Sequence, residues 1–593
     1  MTTTKLIARI SALKKFLELK IDYLIFFVFG LAVFQSQYEV IRRLQLGYGL
    51  TDEAFSLNMA FARSDLADAA WVWPFSIPLS WLSGLSGGSV FAFRIIGYLV
   101  TLATVALLAL VLAHLRGNQD FGHTRYSAAI VVLCALTIQS TFAYLLATPT
   151  YQWTIQIGLL LFLAGLTADL WMGSGWKYSW AYLAISLGLF LTLLSRPTGG
   201  ILLSGGFVVV EVLKFGSRAW VRVAKVMSLV FMYVSVTNIV YPGLIRDFTL
   251  SFKWAKTLNP VGYSIGSEVL DVTKTYAFVF LLFLCGFAAT NFLRKQAINE
   301  ALAVALAFSI VLPLTFIAAT LGFFIYSGVF SASLGILSSI LYKRLTLISF
   351  AIGALPILVQ FGSAMDTIIT VPDNILSASL LMIYSPIRNK PETDKQETNK
   401  PKLMPRSLVS VSMLLVVAIV HSEQGYSFEK AVGSQASSVD PVTNLLYEPS
   451  KVRAIKDWRL GALGWVKPGD FVADLSYWHP GLISYLSAWP LEQSPGDKAY
   501  ARTYKMQTRN YFIDSSPSHR TSTKLFMVAA AKNKFRPGSV CQPLSNFVSN
   551  KSIRESLPHA FAHRAMTVIS VYDSQKVDGT LYPQNAYLLR PCP

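Results

Sequence analysis

A chain of 593 residues that is 53% hydrophobic, only 14% charged and of mean hydropathy +0.48 carries more apolar surface than a water-soluble core can hide. The fold class expected is therefore a polytopic α-helical membrane protein. A formal charge of +19 would suit nucleic acid in a soluble chain, but in a membrane protein basic residues sort by side of the bilayer, and no nucleic-acid partner is expected.

The first twenty residues hold five basic side chains, and no small-residue cleavage site follows the apolar run. They read as an uncleaved signal anchor with a cytoplasmic N-terminus. Apolar windows near the length that crosses a bilayer, roughly 20 residues, recur at about 22–38, 92–113, 126–146, 152–171, 179–194, 199–213 and 226–244. More follow at about 275–293, 301–321, 323–341, 345–361, 375–387 and 406–421, thirteen in all. The 375–387 window is short and closed by the proline of "SPIR"; without it the C-terminal region would change sides.

Alternating orientation from a cytoplasmic start gives a direct check. Lys and Arg number 22 in the segments assigned inside and 8 in the short outer loops, which fits the positive-inside rule. The chain then divides into a transmembrane unit, 1–421, whose first outer loop runs 39–91, and a region 422–593 beyond the last span. The latter has strand-like pieces, "GDFVADLSYW" and "NAYLLR", between Gly, Pro and Ser breaks, and reads as an extracytoplasmic α/β or α+β domain. A charged, Pro-containing inner linker, "NKPETDKQETNKPK", precedes the last span. Two cysteines, Cys541 and Cys592, fall in this outer region, where an oxidising compartment lets them pair; spacing alone leaves the pairing open. Cys134 and Cys285 lie inside spans, as small apolar residues.

The first outer loop opens with "GLTDEAFSLNMA". Asp52 and Glu53 have two readings. Thr51 or Asp52 is a good N-cap and acids favour a first helical turn, which makes capping the simplest local explanation. Alternatively, a partly dehydrated carboxylate at a membrane surface is suited to take a proton from an attacking hydroxyl. Downstream, Trp71, Trp73 and Trp81 suit the headgroup level, so this loop is expected to lie along the interface.

Cations on the same face need a reason. Arg94 in "VFAFRIIGYL" reads as a snorkelling side chain or an anion contact, and Arg196 in "LLSRPTGGILL" as an interface anchor or an anion site. Arg246, Lys253 and Lys256, with Tyr263, make a basic and aromatic outer loop against the positive-inside trend, for which an anionic lipid phosphate is a physical cause. Asp366 and Asp373 on the third outer loop are solvated loop residues or candidate metal ligands. Asp169 and Glu211, near the inner ends of spans, are expected to reach water. The histidines His479, His559 and His563 have no zinc-site spacing around them, and no phosphate-cradling glycine loop or nucleophile elbow is present.

Taken together, "YGLTDEAF" after an N-terminal span, interfacial segments, the Arg of "VFAFRIIGYL" and the "SRPTGG" turn resemble the GT-C superfamily of integral membrane glycosyltransferases. The similarity is to its aminoarabinose, mannosyl and arabinofuranosyl transferase branches. It covers residues 20–215 by motif and the remainder by architecture. The resemblance implies a sugar carried on a polyprenyl phosphate such as undecaprenyl phosphate, inverting transfer on the periplasmic side of a bacterial inner membrane, and Asp52 as catalytic base with Glu53 as alternate or helper. On that mechanism the growing charge of the leaving phosphate is expected to be met by Arg94, Arg196 and one or more of Arg246, Lys253 and Lys256, with Tyr263 in the same loop, and a divalent metal (Mg or Mn) is an optional substitute for some of them. Acceptors consistent with an outer face are a pilin or other protein, a glycolipid, or a polysaccharide. The rival readings are a lipid-linked-sugar flippase or transporter, and a ligase moving a whole glycan from a diphosphate carrier.

Overall fold

The computed structural model describes residues 37–47, 74–116, 147–171, 179–246, 284–293, 347–359, 445–447, 538–547, the strands named below and short helical pieces elsewhere. The predicted spans at 301–321, 323–341, 375–387 and 406–421 lie almost wholly outside the described residues.

Apolar helices dominate the described transmembrane unit. α1 (Ser76–Leu85) is short, α2 (Val90–Arg116) is long, and α3 (Tyr151–Trp171), α4 (Ser179–Ser195) and α5 (Pro197–Phe215) follow. A single 3-10 turn, Gly216–Arg218, leads into α6 (Ala219–Val240); α7 (Leu284–Leu293) and α8 (Leu347–Leu358) come later. At 1.5 Å per residue, the 27 residues of α2 reach about 40 Å, more than the hydrocarbon thickness. Among the described residues, Val90–Leu112, Tyr151–Leu170 and the stretch Pro197–Val240 are long and apolar enough to cross a membrane.

That last stretch is a hairpin. Gly216 closes α5 at φ 57, in the left-handed region a side chain disfavours, and α6 then runs back beside α5 and α4. The two spans expected at 199–213 and 226–244 are thus separate helices.

α3 is the centre of the bundle: 89% of its apolar window is buried, against 17% for Pro197–Val240. Its partner α4 crosses it backbone to backbone. A Cβ on Gly188 would lie 2.4 Å from the Gly158 carbonyl oxygen, and one on Gly165 would lie 2.6 Å from that of Ala181. Small residues at these levels let the helices approach as only glycine permits, the usual basis of helix association in lipid. Phe162 of α3 meets Phe207 of α5 edge-on at 6.1 Å between centroids, and Phe190 of α4 meets Tyr233 of α6 at 5.7 Å. These contacts order the bundle so that Val90, Tyr151, Ser195, Pro197 and Val240 share one end. Arg116, Trp171, Ser179 and Phe215 share the other.

α1 lies across the first of those ends. Its first turn is buried, Ile77 packing with Phe190, Leu194 and Leu244, while Trp81 and Leu85, one and two turns further along, are 49% and 76% exposed. A short helix buried at its start and carrying exposed Trp and Leu side chains beyond it suits the membrane interface. Trp81 Nε1 donates to the Tyr241 hydroxyl at 2.6 Å, tying α1 to the end of α6.

After residue 437 the described chain turns to strands. β1 (Ser438–Val439) and β2 (Leu446–Tyr447) form a small antiparallel pair. β3 (Phe471–Leu475), β4 (Tyr504–Gln507), β5 (Asn510–Ile513), β6 (Leu525–Ala530), β7 (Gly538–Pro543), the helical turn α9 (Leu544–Phe547), β8 (Ala565–Asp573) and β9 (Gln584–Pro591) complete it. Five strands make one mixed sheet in the order β3-β6-β9-β8-β7, parallel between β3 and β6 and antiparallel elsewhere; β4 and β5 pair as a hairpin. Cys541 of β7 and Cys592, just after β9, are joined by a disulfide with Cα atoms 6.0 Å apart, bridging over β8.

Candidate functional site

The end of the bundle that carries α1 is where the loop charges place the outer face, and the three described candidates, Arg94, Arg196 and Arg246, lie at it. Its foundation is the helix that leads into the first outer loop. That helix was expected to stop near residue 38, where the apolar run ends, yet it continues to residue 45. The reason is a second, amphipathic turn: Val40 and Leu44, four residues apart, are both fully buried while Arg42 and Tyr38 point outward.

The last carbonyls of a helix have no partners within it. Here they have Arg94. Its guanidinium, on α2 and fully buried, donates to the carbonyls of Leu44 (3.0 Å), Leu46 and Gly47 (3.2 Å), while its Nε donates to Thr148 Oγ1 at 2.9 Å. Arg94 does not snorkel: its planar fork addresses backbone dipoles, a geometry suited to guanidinium and not to a point-like ammonium. Beside it, Pro149 packs on Gly97, where an added Cβ would stand 2.3 Å from the ring.

A second element holds the same segment. Leu46 forms a parallel bridge with Leu446, and the Gly47 amide donates to the Leu446 carbonyl at 2.7 Å. Leu445 is fully buried in the same hydrophobic cluster as Leu44, Val40 and Phe93.

Arg196 occupies the junction of α4 and α5. It is extended (φ −147, ψ 91), as a residue before proline must be, and Pro197 opens α5 at the position where a missing amide costs nothing. Its Nη1 donates to the Val359 carbonyl at 3.0 Å, and Gly199 lies so close to that carbonyl that a Cβ would fall 2.6 Å from it. The "SRPTGG" turn therefore docks on the end of α8. Arg246 is exposed at the α6 end; its guanidinium lies against Gly243, whose φ of 115 forms the turn. Asp52, Glu53, Lys253, Lys256, Tyr263, Asp366 and Asp373 lie outside the described residues. No group of three or more His, Cys, Asp or Glu with metal-site geometry occurs among the described residues.

The opposite end carries a cluster that sequence reasoning missed. Asp169 and Glu211 do not reach water: their side chains are 8% and 0% exposed. Arg222 Nε donates to Glu211 Oε2 at 2.7 Å and its Nη2 to Asp169 Oδ2, and its guanidinium rests 3.8 Å from the Phe215 ring centre. Glu211 Oε1 is buried with no hydrogen-bond partner. The available signal was the Glu211/Arg222 spacing across a Gly-containing turn, which a hairpin brings together.

No protein-family model matches the chain, and no curated protein does. Among solved structures, the crystal structure of ArnT from Cupriavidus metallidurans in the apo state aligns over 98% of both chains at 10% identity, with a TM-score of 0.36. A likeness of that size assigns neither family nor activity.

Proposed function

We propose that the chain is an inverting glycosyltransferase of the membrane, moving a single sugar from a polyprenyl-phosphate donor to an acceptor on the outer face of a bacterial inner membrane. The observation that carries this reading is the position of the acidic pair in the chain: Asp52 follows Gly47 by five residues, and Gly47 is anchored at the bundle end shared by Arg196, Arg246 and the interfacial helix α1.

In this reading Asp52 accepts the proton of the acceptor hydroxyl as that oxygen attacks the anomeric carbon. The bond from that carbon to the phosphate oxygen breaks on the opposite face, and the electron pair leaves with polyprenyl phosphate. Arg196, Arg246, Lys253, Lys256 and Tyr263 are assigned to the growing phosphate charge, as donors placed where charge develops. Arg94 is left out of that set because its fork is turned to backbone. Glu53 is the alternate carboxylate. Asp366 and Asp373 are the residues to which a divalent ion, if used, is assigned. The sugar proposed is a pentofuranose such as arabinofuranose, or another pentose or hexose, and the acceptor a pilin, a glycolipid or a polysaccharide. The disulfide between Cys541 and Cys592 supports an oxidising compartment for the C-terminal region.

The test is release of polyprenyl phosphate from a labelled polyprenyl-phosphate sugar by purified protein in lipid. Release by the parent chain and its loss in Asp52→Asn is the expected result. Transport of the donor across vesicles without release would overturn the reading in favour of a flippase, and activity only on a diphosphate-linked glycan would favour a ligase.

A further inference from the structure

Among the described residues, the transmembrane unit and the chain beyond the last expected span meet at the segment 44–47. Three hydrogen bonds from a buried arginine close the end of the helix over residues 37–45: Arg94 holds the carbonyls of Leu44, Leu46 and Gly47 and is itself braced by a fourth, to Thr148. From the other side Leu446, which comes after the last expected span, bridges Leu46 and accepts the Gly47 amide. Leu445, next to it, is sealed in the transmembrane core. The segment 44–47 is thus gripped through both its carbonyls and its amide, by elements from opposite ends of the chain. The second grip is not available to a C-terminal region tethered at a distance.

We infer that Arg94 and the Leu445–Leu446 segment are positioning elements that set the point from which the Asp52 loop departs, so that the C-terminal chain is part of the catalytic frame and not a separate acceptor-binding module. This rests on the reading of Asp52 as the base. A guanidinium suits the task because its rigid fork addresses several carbonyls at once; a lysine keeps the charge and loses the fork. Displacement of a reacting group by about 1 Å is enough to lower turnover about 100-fold while leaving the binding of a donor held elsewhere unchanged.

Two arms test it. In the full-length chain with Cys134 and Cys285 replaced by Ser, Leu46→Cys and Leu446→Cys are combined with a protease site in the inner linker, and native membranes are oxidised mildly and then cleaved. The native Cys541–Cys592 bond lies on one side of the cut and cannot hold the halves together. The expected result is a chain that stays full-size until reduced, with the cross-linked fraction falling several-fold when Arg94→Gln is added. Halves that separate without reductant, or a cross-link indifferent to Arg94, overturn the proposal. In the second arm, Arg94→Lys is expected to lower kcat by about 10- to 100-fold with the KM for donor unchanged and the elution profile of the purified protein unaltered. A raised KM with intact kcat would instead make Arg94 a donor ligand and overturn it. If the parent chain shows no transfer at all, the assigned activity fails, while the cross-linking arm still decides the clamp.

Discussion

Arg222 donates from its Nε to Glu211 Oε2 at 2.7 Å across the α5–α6 hairpin, and the same guanidinium reaches Asp169 at the end of α3. One cation thereby ties three helices together at the end of the bundle opposite α1. Two buried carboxylates left without it would face the desolvation penalty alone, which costs roughly 3–5 kcal/mol when one partner of such a group is removed. Arg222→Met is therefore expected to lower the thermal midpoint sharply in detergent, and the triple change Asp169→Asn, Glu211→Gln, Arg222→Met to recover much of the loss. Thermal unfolding followed by size-exclusion fluorescence checks both; a single change no worse than the triple would show the pairing to be unimportant.

The α3–α4 crossing predicts a contrast between two glycines of the same bundle. Gly188→Val drives a side chain into the Gly158 carbonyl, 2.4 Å from where its Cβ must sit. The helices must separate, with a cost of at least about 1–3 kcal/mol as for other overpacked cores. Gly205 in α5 has open space around its Cβ position, so Gly205→Ala is expected to be neutral or to stabilise by up to about 1 kcal/mol through helix propensity. The two midpoints measured side by side decide the matter.

The disulfide predicts a labelling pattern. Of the four cysteines, Cys134 and Cys285 are free and Cys541 and Cys592 are paired. Denatured protein prepared from membranes should bind two equivalents of a thiol reagent before reduction and four after. Cys592→Ser opens a loop of 51 residues, for which the chain-entropy model gives about 4 kcal/mol, and is expected to make the strand region protease-sensitive. Four equivalents before reduction would place this region in a reducing compartment and count against the outer assignment.

The neighbouring acids should separate in activity. A general base contributes roughly 100- to 10,000-fold in rate, so Asp52→Asn is expected to reduce transfer by that order with the expression level maintained. Glu53→Gln is expected to keep most of the turnover. Equal losses would mean that the pair acts jointly, and a loss confined to Glu53→Gln would exchange the two roles. Initial rates of polyprenyl phosphate release measure all three variants.

Composition and charge alone determined that the chain lives in a membrane, and the apolar windows at 92–113, 152–171, 179–194, 199–213 and 226–244 correspond to α2 through α6. The strand-like pieces "GDFVADLSYW" and "NAYLLR" likewise correspond to β3 and β9. Such features are legible because hydrophobic runs and turn residues act over a few neighbours in the chain. Tertiary structure decided what the isolated charges do. Arg94 has the same local sequence whether it snorkels or clamps, and only the return of the 44–47 carbonyls beside α2 makes it a clamp. Asp169 and Glu211 look like water-facing ends of spans until the hairpin at Gly216 delivers Arg222 between them. Both outcomes depend on groups far apart in sequence. In a low-dielectric interior a charge takes whatever partner the packing brings within about 3 Å, and no local pattern records that choice.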